Sequence, residues 1–233
     1  VTNDAGIYSW YVKIDYSQII YDNKIYFSIE VAEKLNVLAI SETNTLSNSI
    51  AAIFAEEKMV DFVYSSITQL EYGKILESNF VIFDGIKTVN NSVIQELKQF
   101  LKDGGSLAIL PPASDKYDEI NAFNTVFGVN TYSKINESQL NFSELNLSHI
   151  IFKNVFDGVP QNMDMPLVKK YYSFSESSFS WSLPLIKLQN GEPFLVASKV
   201  DNGLVYQFAS PINSEFTDFH QHALFVPVFF QMA

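Results

Sequence analysis

One segment constrains the fold more than any other: an apolar strand pattern, an amphipathic helix and a second apolar strand pattern. The strand patterns are FVIFDG at 80–85 and SLAIL at 106–110. Between them, SVIQELKQFLKDGG at 92–105 places its large apolar residues on one helical stripe. Ser92 has the spacing of a capping-box N-cap, and Gly104 is suited to the end of the helix. This order of elements predicts a right-handed βαβ unit and a parallel sheet.

Similar patterns lie on both sides of this unit. Short apolar runs at 36–40 and 61–67 predict two further buried strands, and helical periodicity occurs at 47–57 and near 117–127. Residues 130–180 are rich in Ser and Asn and have weak periodicity, so they predict loops with short elements.

The last part of the chain predicts antiparallel strands. Residues 184–210 alternate in polarity and contain two hairpin signals, Asn190-Gly191 and Asn202-Gly203. They predict a β-meander that extends the parallel sheet. Residues 217–233 predict a closing helix, with Pro227 arguing against a straight one.

A different pattern opens the chain. Residues 6–31 alternate as strands do and are rich in Tyr, Ile and Val, which predicts two β-strands joined by a turn at Asp22-Asn23. Two strands do not form a stable core alone. We therefore interpret residues 1–33 as the C-terminal strands of a truncated, Ig-like β-sandwich, and residues 34–233 as the α/β domain.

Composition excludes several classes of function. The net charge is −11, and all 15 cationic side chains are lysine. A nucleic-acid-binding protein needs a basic surface and favours arginine, so we expect no nucleic acid partner. The chain contains no cysteine, which excludes thiol catalysis and thiolate metal sites.

The two ends of the chain predict a longer protein. The start has neither the basic segment nor the apolar core of a signal peptide, and no run approaches the roughly 20 apolar residues of a spanning helix. The strongly apolar HALFVPVFFQMA at 222–233 is typical of a segment that continues. We expect any membrane contact to come from segments outside this chain.

Four stretches carry a resemblance to known proteins: YDNKIYFSIEVAEKLNVLAI, FVIFDGIKTVNNSVIQELKQFLKDGGSLAILP, NGEPFLVASKVDNGLVYQFASPIN and HALFVPVFFQMA. The core resembles the flavodoxin-like, class I glutamine amidotransferase-like fold in its ThuA-like branch. The whole chain resembles the extracytoplasmic part of bacterial membrane proteins that begin with a BatA-type aerotolerance-regulator domain. The resemblance implies a β-sandwich that leads into a mostly parallel α/β sheet. It also implies a periplasmic location at the inner membrane and unidentified protein partners.

The residues that perform catalysis in amidotransferases are absent here. Those enzymes carry a Gly-x-Cys-x-Gly elbow after the strand matching 106–110, where this chain has Pro111-Pro112. Their His-Pro-Glu motif aligns with Ser210, Pro211 and Ile212. Without the nucleophile, the base and the acid, glutamine hydrolysis is excluded, and we expect neither catalysis nor a cofactor.

An open α/β sheet still has a crevice at the carboxyl ends of its strands. The residues predicted to line it are Ser41, Glu42, Asp84, Gly85, Ser114, Asp115, Ser210 and Asn213. Two functions follow as alternatives. The first is a non-catalytic interaction module that works through protein partners, in which these residues only order turns. The second binds or hydrolyses a small carbohydrate-like ligand in the crevice, and it requires a concave pocket there.

Two other features leave alternatives open. His220 and His222 share a face only on a strand, and no third ligand lies nearby, so we expect no metal site. The aromatic residues of YYSFSESSFSW at 171–181 form a binding surface if the segment is a loop, but alternate between buried and exposed if it is a strand.

Overall fold

The computed structural model describes residues 6–14, 23–31, 34–42, 48–153, 155, 164–175 and 182–233. The strands of this part of the chain are β1 (Gly6–Lys13), β2 (Lys24–Val31), β3 (Leu35–Ser41), β4 (Val60–Ser66), β5 (Phe80–Asp84), β6 (Ser106–Leu110), β7 (Thr131–Leu145), β8 (Leu167–Ser175), β9 (Ser182–Leu188), β10 (Pro193–Val200) and β11 (Gly203–Phe208). The α-helices are α1 (Asn48–Phe54), α2 (Gly73–Leu76), α3 (Asn91–Lys102), α4 (Asp118–Val126) and α5 (Phe225–Met232). The chain divides into two compact units, Val1–Leu35 and Asn36–Ala233.

The first unit contains an antiparallel hairpin. β1 and β2 pair in continuous register from Gly6 opposite Val31 to Lys13 opposite Lys24. Trp10 packs edge-to-face on Phe27 across the hairpin, yet both side chains remain more than a third exposed. Both predicted strands of this segment are present. Asp22 of the predicted turn lies outside the described residues, and the assignment of 1–33 to a β-sandwich stays a prediction.

The second unit is built on one mixed sheet of nine strands in the order β4-β3-β5-β6-β11-β10-β9-β7-β8. β3, β5, β6 and β11 pair in parallel, and β10, β9, β7 and β8 extend the sheet by antiparallel pairing. The parallel strands are buried on both faces and therefore read as continuous apolar runs in the sequence. The predicted α/β fold class, a flavodoxin-like parallel sheet with an antiparallel meander, is confirmed.

Helix α3 lies where the sequence predicted it, with one correction at its start. The N-cap is Asn90, whose side-chain oxygen accepts a hydrogen bond from the Val93 N–H at 3.0 Å, and not Ser92. Asn90 has the extended backbone that an N-cap needs, whereas Ser92 already lies inside the helix. At the other end Gly104 has φ +97°, and Gly105 N–H donates to Phe100 O at 2.9 Å, as in a Schellman ending.

The prediction of loops with short elements over 130–180 was wrong at 131–145 and 167–175, which are strands. Residues 154, 156–163 and 176–180 lie outside the described part of the chain. β7 is a strand of 15 residues that pairs with β8 along its first part and with β9 along its last. Its Ser and Asn side chains bond across the sheet: Asn136 Nδ2 donates to Ser173 Oγ at 2.7 Å, and Ser143 Oγ donates to Leu188 O at 2.8 Å. Bulges in both pairings break the period-two pattern by which strands are recognised.

The predicted helix over 217–233 is also shorter than expected. A 3₁₀ turn at Phe219–Gln221 precedes α5, which begins only at Phe225. Pro227 lies in the first turn of α5, where a missing N–H costs no intrahelical hydrogen bond, so it starts the helix without bending it.

Candidate functional site

The parallel strands bring several predicted site residues together. Ser41, Asp84 and Leu110 are register partners at the carboxyl ends of β3, β5 and β6. Gly85 follows with φ +68°, and its N–H donates to Leu110 O at 3.1 Å. A Cβ atom at Gly85 would lie 3.9 Å from Pro112 Cα, so the loops after β5 and β6 are in contact. Their role in ligand binding stays a prediction.

Glu42 and Asn213 have structural contacts. The Glu42 carboxylate accepts a hydrogen bond from the Lys87 N–H at 3.0 Å and so orders the loop after β5. The Asn213 side-chain oxygen accepts from the N–H groups of Glu215 and Phe216 at 3.1 and 3.2 Å. These contacts order the turns in which Glu42 and Asn213 lie.

A tyrosine from the antiparallel part of the sheet contacts the strand tip at which amidotransferases carry their nucleophile. The Tyr172 hydroxyl oxygen lies 2.7 Å from Pro112 O and 2.6 Å from Ser114 O. The Tyr172 N–H donates to Ala209 O at 2.7 Å, which ties β8 to the segment after β11. Tyr172 is fully buried, and Pro111 and Pro112 are buried. The loop after β6 is therefore held closed by Tyr172.

The four polar groups that a crevice ligand would need do not share one accessible space. Ser210 is fully buried and its hydroxyl has no hydrogen-bond partner. The Ser114 hydroxyl is also buried and unpartnered, while Asp115 is exposed and Asp84 is half-buried. The predicted residues thus lie in one region at the strand ends, but their polar groups do not point into one shared pocket.

Neither serine has a general base. His149 Nδ1 accepts from the Ile151 N–H, His222 Nδ1 accepts from the Leu224 N–H, and His220 Nε2 contacts the side chain of Gln221. Within the described residues, no histidine is hydrogen-bonded to a serine hydroxyl, and no cluster of three metal-ligating side chains occurs. A serine hydroxyl paired with a histidine, the arrangement of serine-dependent acyl transfer, is thus not found among the residues that the structure describes.

Burial also shifts the titration of the tyrosines around this region. It raises the pKa of Tyr172 to about 12, against the opposing effect of its hydrogen bond to Ser114 O. Burial and the neighbouring Tyr172 raise the pKa of Tyr132 well above its usual value. The Tyr132 ring packs in tilted contacts on Tyr172 at 5.5 Å and on Phe174 at 5.4 Å, and Tyr117 meets Tyr172 edge-to-face at 5.7 Å. The hydroxyls of Tyr132 and Tyr172 therefore stay protonated at neutral pH and act as neutral donors.

Sequence reasoning missed Tyr172 because it treated residues 130–180 as loops. The segment YYSF at 171–174 carried the signal, since a strand buries alternate aromatics. The strand alternative for 171–175 is confirmed, and 176–181 lie outside the described residues. Tyr171 and Tyr172 point to opposite faces of β8, and both are buried. On one face, Asn190 Nδ2 donates a hydrogen bond to the Tyr171 hydroxyl at 2.7 Å. On the other, the Tyr172 hydroxyl donates to Ser114 O in the loop after β6.

No helix within the described residues is long and apolar enough to cross a bilayer.

Comparisons with known proteins bear on the fold alone. The sequence matches no protein-family profile and no curated protein. Among solved structures, the chain is similar to the cytoplasmic protein STM1381 from Salmonella typhimurium, with a TM-score of 0.63 and 14% identity over 84% of this chain and 96% of that one. It is similar to a ThuA-like protein from Bacteroides uniformis, with a TM-score of 0.60 and 15% identity over 88% and 94%. These likenesses support the amidotransferase-like, ThuA-like part of the predicted resemblance.

One further likeness covers only part of its counterpart. A β-galactosidase from Rahnella matches with a TM-score of 0.56 and 13% identity over 86% of this chain, which spans 31% of the length of that enzyme.

The predicted periplasmic location is contradicted by the comparisons and is withdrawn. The Salmonella protein above and a second similar one from the same organism are both described as cytoplasmic. The wider BatA-type resemblance on which that location depended stays a prediction.

Proposed function

We propose that this chain is a non-catalytic module that works through a protein partner. The observation that carries the proposal is the contact of the Tyr172 hydroxyl with Pro112 O and Ser114 O. It closes the strand tip where enzymes of related architecture carry a nucleophile, and prolines at that tip have no N–H to stabilise an oxyanion.

The exposed surface of the hairpin supports the partner-binding part of the proposal. One face of the hairpin carries apolar side chains that are each at least 40% exposed: Trp10, Val12, Ile25, Phe27 and Ile29. A contiguous apolar face of this kind is typical of an interaction surface.

Site-specific photocrosslinking of the full-length protein in its own cells tests this function. A photoreactive residue at Trp10 should give a recurring protein adduct, whereas the same residue at Asp115, which is exposed at the strand ends, should give none. An adduct that forms only at Asp115, or none at either position, would argue against the hairpin as the partner surface.

A second candidate function is the binding of a small carbohydrate at the strand ends. The likeness to part of a β-galactosidase favours it, although that likeness is one of fold. The burial of Ser210 disfavours it. Titration with galactose and mannose, followed by the amide signals of Asp84, Gly85 and Asp115, separates the two candidates. The interaction module predicts no change in these signals, and saturable shifts at all three would favour the sugar site.

A further inference from the structure

The outer strand of the parallel half leaves one edge of the sheet open. β4 is the terminal strand, and β3 is its one neighbouring strand among the described residues. Ile67 N–H donates to Ser41 O at 2.9 Å, so the two strands run in the same direction with their carboxyl ends level. Because backbone groups alternate along a strand, the N–H and C=O of Phe62 point away from β3.

This edge lacks the features that usually protect an edge strand. The sequence of β4, VDFVYSS, contains one charged residue and no proline. Phe62 and Val63 lie on opposite faces of the strand, and both are only partly buried. An edge with these properties is a template for the addition of another strand.

A groove adjoins the first residues of this edge. It has a volume of about 250 Å³ and lies between the amino ends of β3 and β4 and the short helix α2. Leu38 and Val63 form its apolar floor, and Asp61, Lys74 and Glu77 are at its rim. Val63 lies on the sheet face that α2 covers, so alternate side chains of an added strand would project toward this groove.

The charges around the edge are predominantly acidic. At the rim, Lys74 forms an ion pair with Glu71, with its Nζ 4.0 Å from the carboxylate. The other two rim charges, Asp61 and Glu77, have no ion-pair partner among the described residues. Glu56, Glu57 and Lys58 precede the strand and are exposed, so this segment adds one further net negative charge. The net charge of −11 on the whole chain adds a long-range attraction for cations. Charge complementarity therefore selects a basic partner segment.

We propose that β4 binds an extended, lysine- or arginine-rich peptide segment of the partner by strand addition, with one side chain in the groove beside Asp61 and Glu77. This inference rests on the proposed role in partner binding, but it uses a surface of the second unit. Crosslinking at Trp10 tests the proposed function, and peptide binding to β4 tests this inference, so either can fail without the other.

Fluorescence anisotropy with labelled model peptides tests the proposal. The probe is an eight-residue peptide of alternating lysine and valine; one control peptide replaces lysine with glutamate, and another carries N-methyl groups on alternate backbone amides. We expect saturable binding of the lysine peptide and no binding of either control. Equal binding of the N-methylated peptide would overturn strand addition, because that peptide keeps the charge and loses the backbone donors.

Charge reversal at the groove supplies the matched variant. Asp61→Lys should weaken lysine-peptide binding about three- to tenfold, whereas Asp115→Lys, which changes the net charge equally at the other end of the strands, should change it less than twofold. In amide hydrogen exchange, the bound peptide should slow exchange in residues 60–66 and leave 167–175 unchanged. Equal weakening by both variants, or protection in the wrong segment, would overturn the proposal.

Discussion

The hydroxyl oxygen of Tyr172 lies 2.6 Å from the carbonyl oxygen of Ser114, a residue 58 positions earlier in the chain. The same hydroxyl lies 2.7 Å from Pro112 O. Through this contact the antiparallel part of the sheet closes the loop that follows the central parallel strand. In the amidotransferases that the chain resembles, the corresponding loop carries the nucleophile; here that loop packs against Tyr172.

Removing this hydroxyl should destabilise the fold without unfolding it. Tyr172→Phe removes the one proton that the hydroxyl shares between the buried Pro112 O and the part-buried Ser114 O, so we expect a loss of about 1–3 kcal/mol in the free energy of unfolding. Tyr117→Phe is the matched control, since the Tyr117 ring packs on Tyr172 but its hydroxyl has no hydrogen bond among the described residues. Urea denaturation measures both variants, and equal losses would contradict the role of the Tyr172 hydroxyl.

Stability should fall at alkaline pH because of the buried tyrosines. Burial raises the pKa of Tyr172 and of Tyr206 to about 12, whereas an unfolded tyrosine ionises near pH 10. Each buried tyrosine therefore contributes roughly 2–3 kcal/mol to the free energy of unfolding below about pH 10. This contribution is lost as the pH rises through about 12. Denaturation between about pH 9 and pH 11 should show this decline, and Tyr172→Phe should decline less steeply. A flat profile would contradict it.

Gln207 of β11 should hold the connection between α4 and β7 in place. Its buried side chain accepts from the Asn130 N–H at 3.1 Å and donates to Asn130 O at 2.7 Å, which mimics a strand pairing. Gln207→Leu removes both bonds, and we expect a loss of about 2–4 kcal/mol in unfolding free energy. Gln189→Leu at an exposed site should cost less than about 0.5 kcal/mol. A similar effect of the two changes would contradict the account.

Two glycines should respond in opposite directions to the same substitution. A Cβ at Gly203 would lie 2.5 Å from Gly105 O and 2.8 Å from Leu101 O, both rigid backbone atoms, so Gly203→Ala should cost about 1–3 kcal/mol. Gly73 in α2 has nothing within 4 Å, and Gly73→Ala should stabilise by about 0.5–1 kcal/mol. Melting temperatures measure both, and a stabilised Gly203→Ala would contradict the close approach of α3 to β11.

Much of the fold was predictable, because its information is local. The strand and helix periodicities of 80–110 and the Asn-Gly hairpin signals at 190–191 and 202–203 each determine their own structure. β7 was not predictable in this way. Several of its polar side chains bond to partners on β8 and β9, and its bulges interrupt the alternation.

The candidate site depends still more on contacts that are distant in sequence. The sequence predicted that Ser41 and Asp84 lie side by side, because parallel strands end at one edge of the sheet. It did not predict that Tyr172 would close the neighbouring loop, which requires β8 to reach Ala209. Nor does a local pattern separate Asn90 from Ser92 as the N-cap of α3, since both residue types cap helices well.

The most direct test of the central claim is the hydrolysis rate of the purified chain with glutamine, p-nitrophenyl galactoside and p-nitrophenyl acetate as substrates. The closed strand tip predicts rates equal to those of buffer for all three substrates. It also predicts the same rates for the wild type and for the double variant Ser114→Ala, Ser210→Ala. Turnover of any of these substrates by the wild type that the double variant abolishes would contradict the account, because it would make one of these buried hydroxyls a working nucleophile.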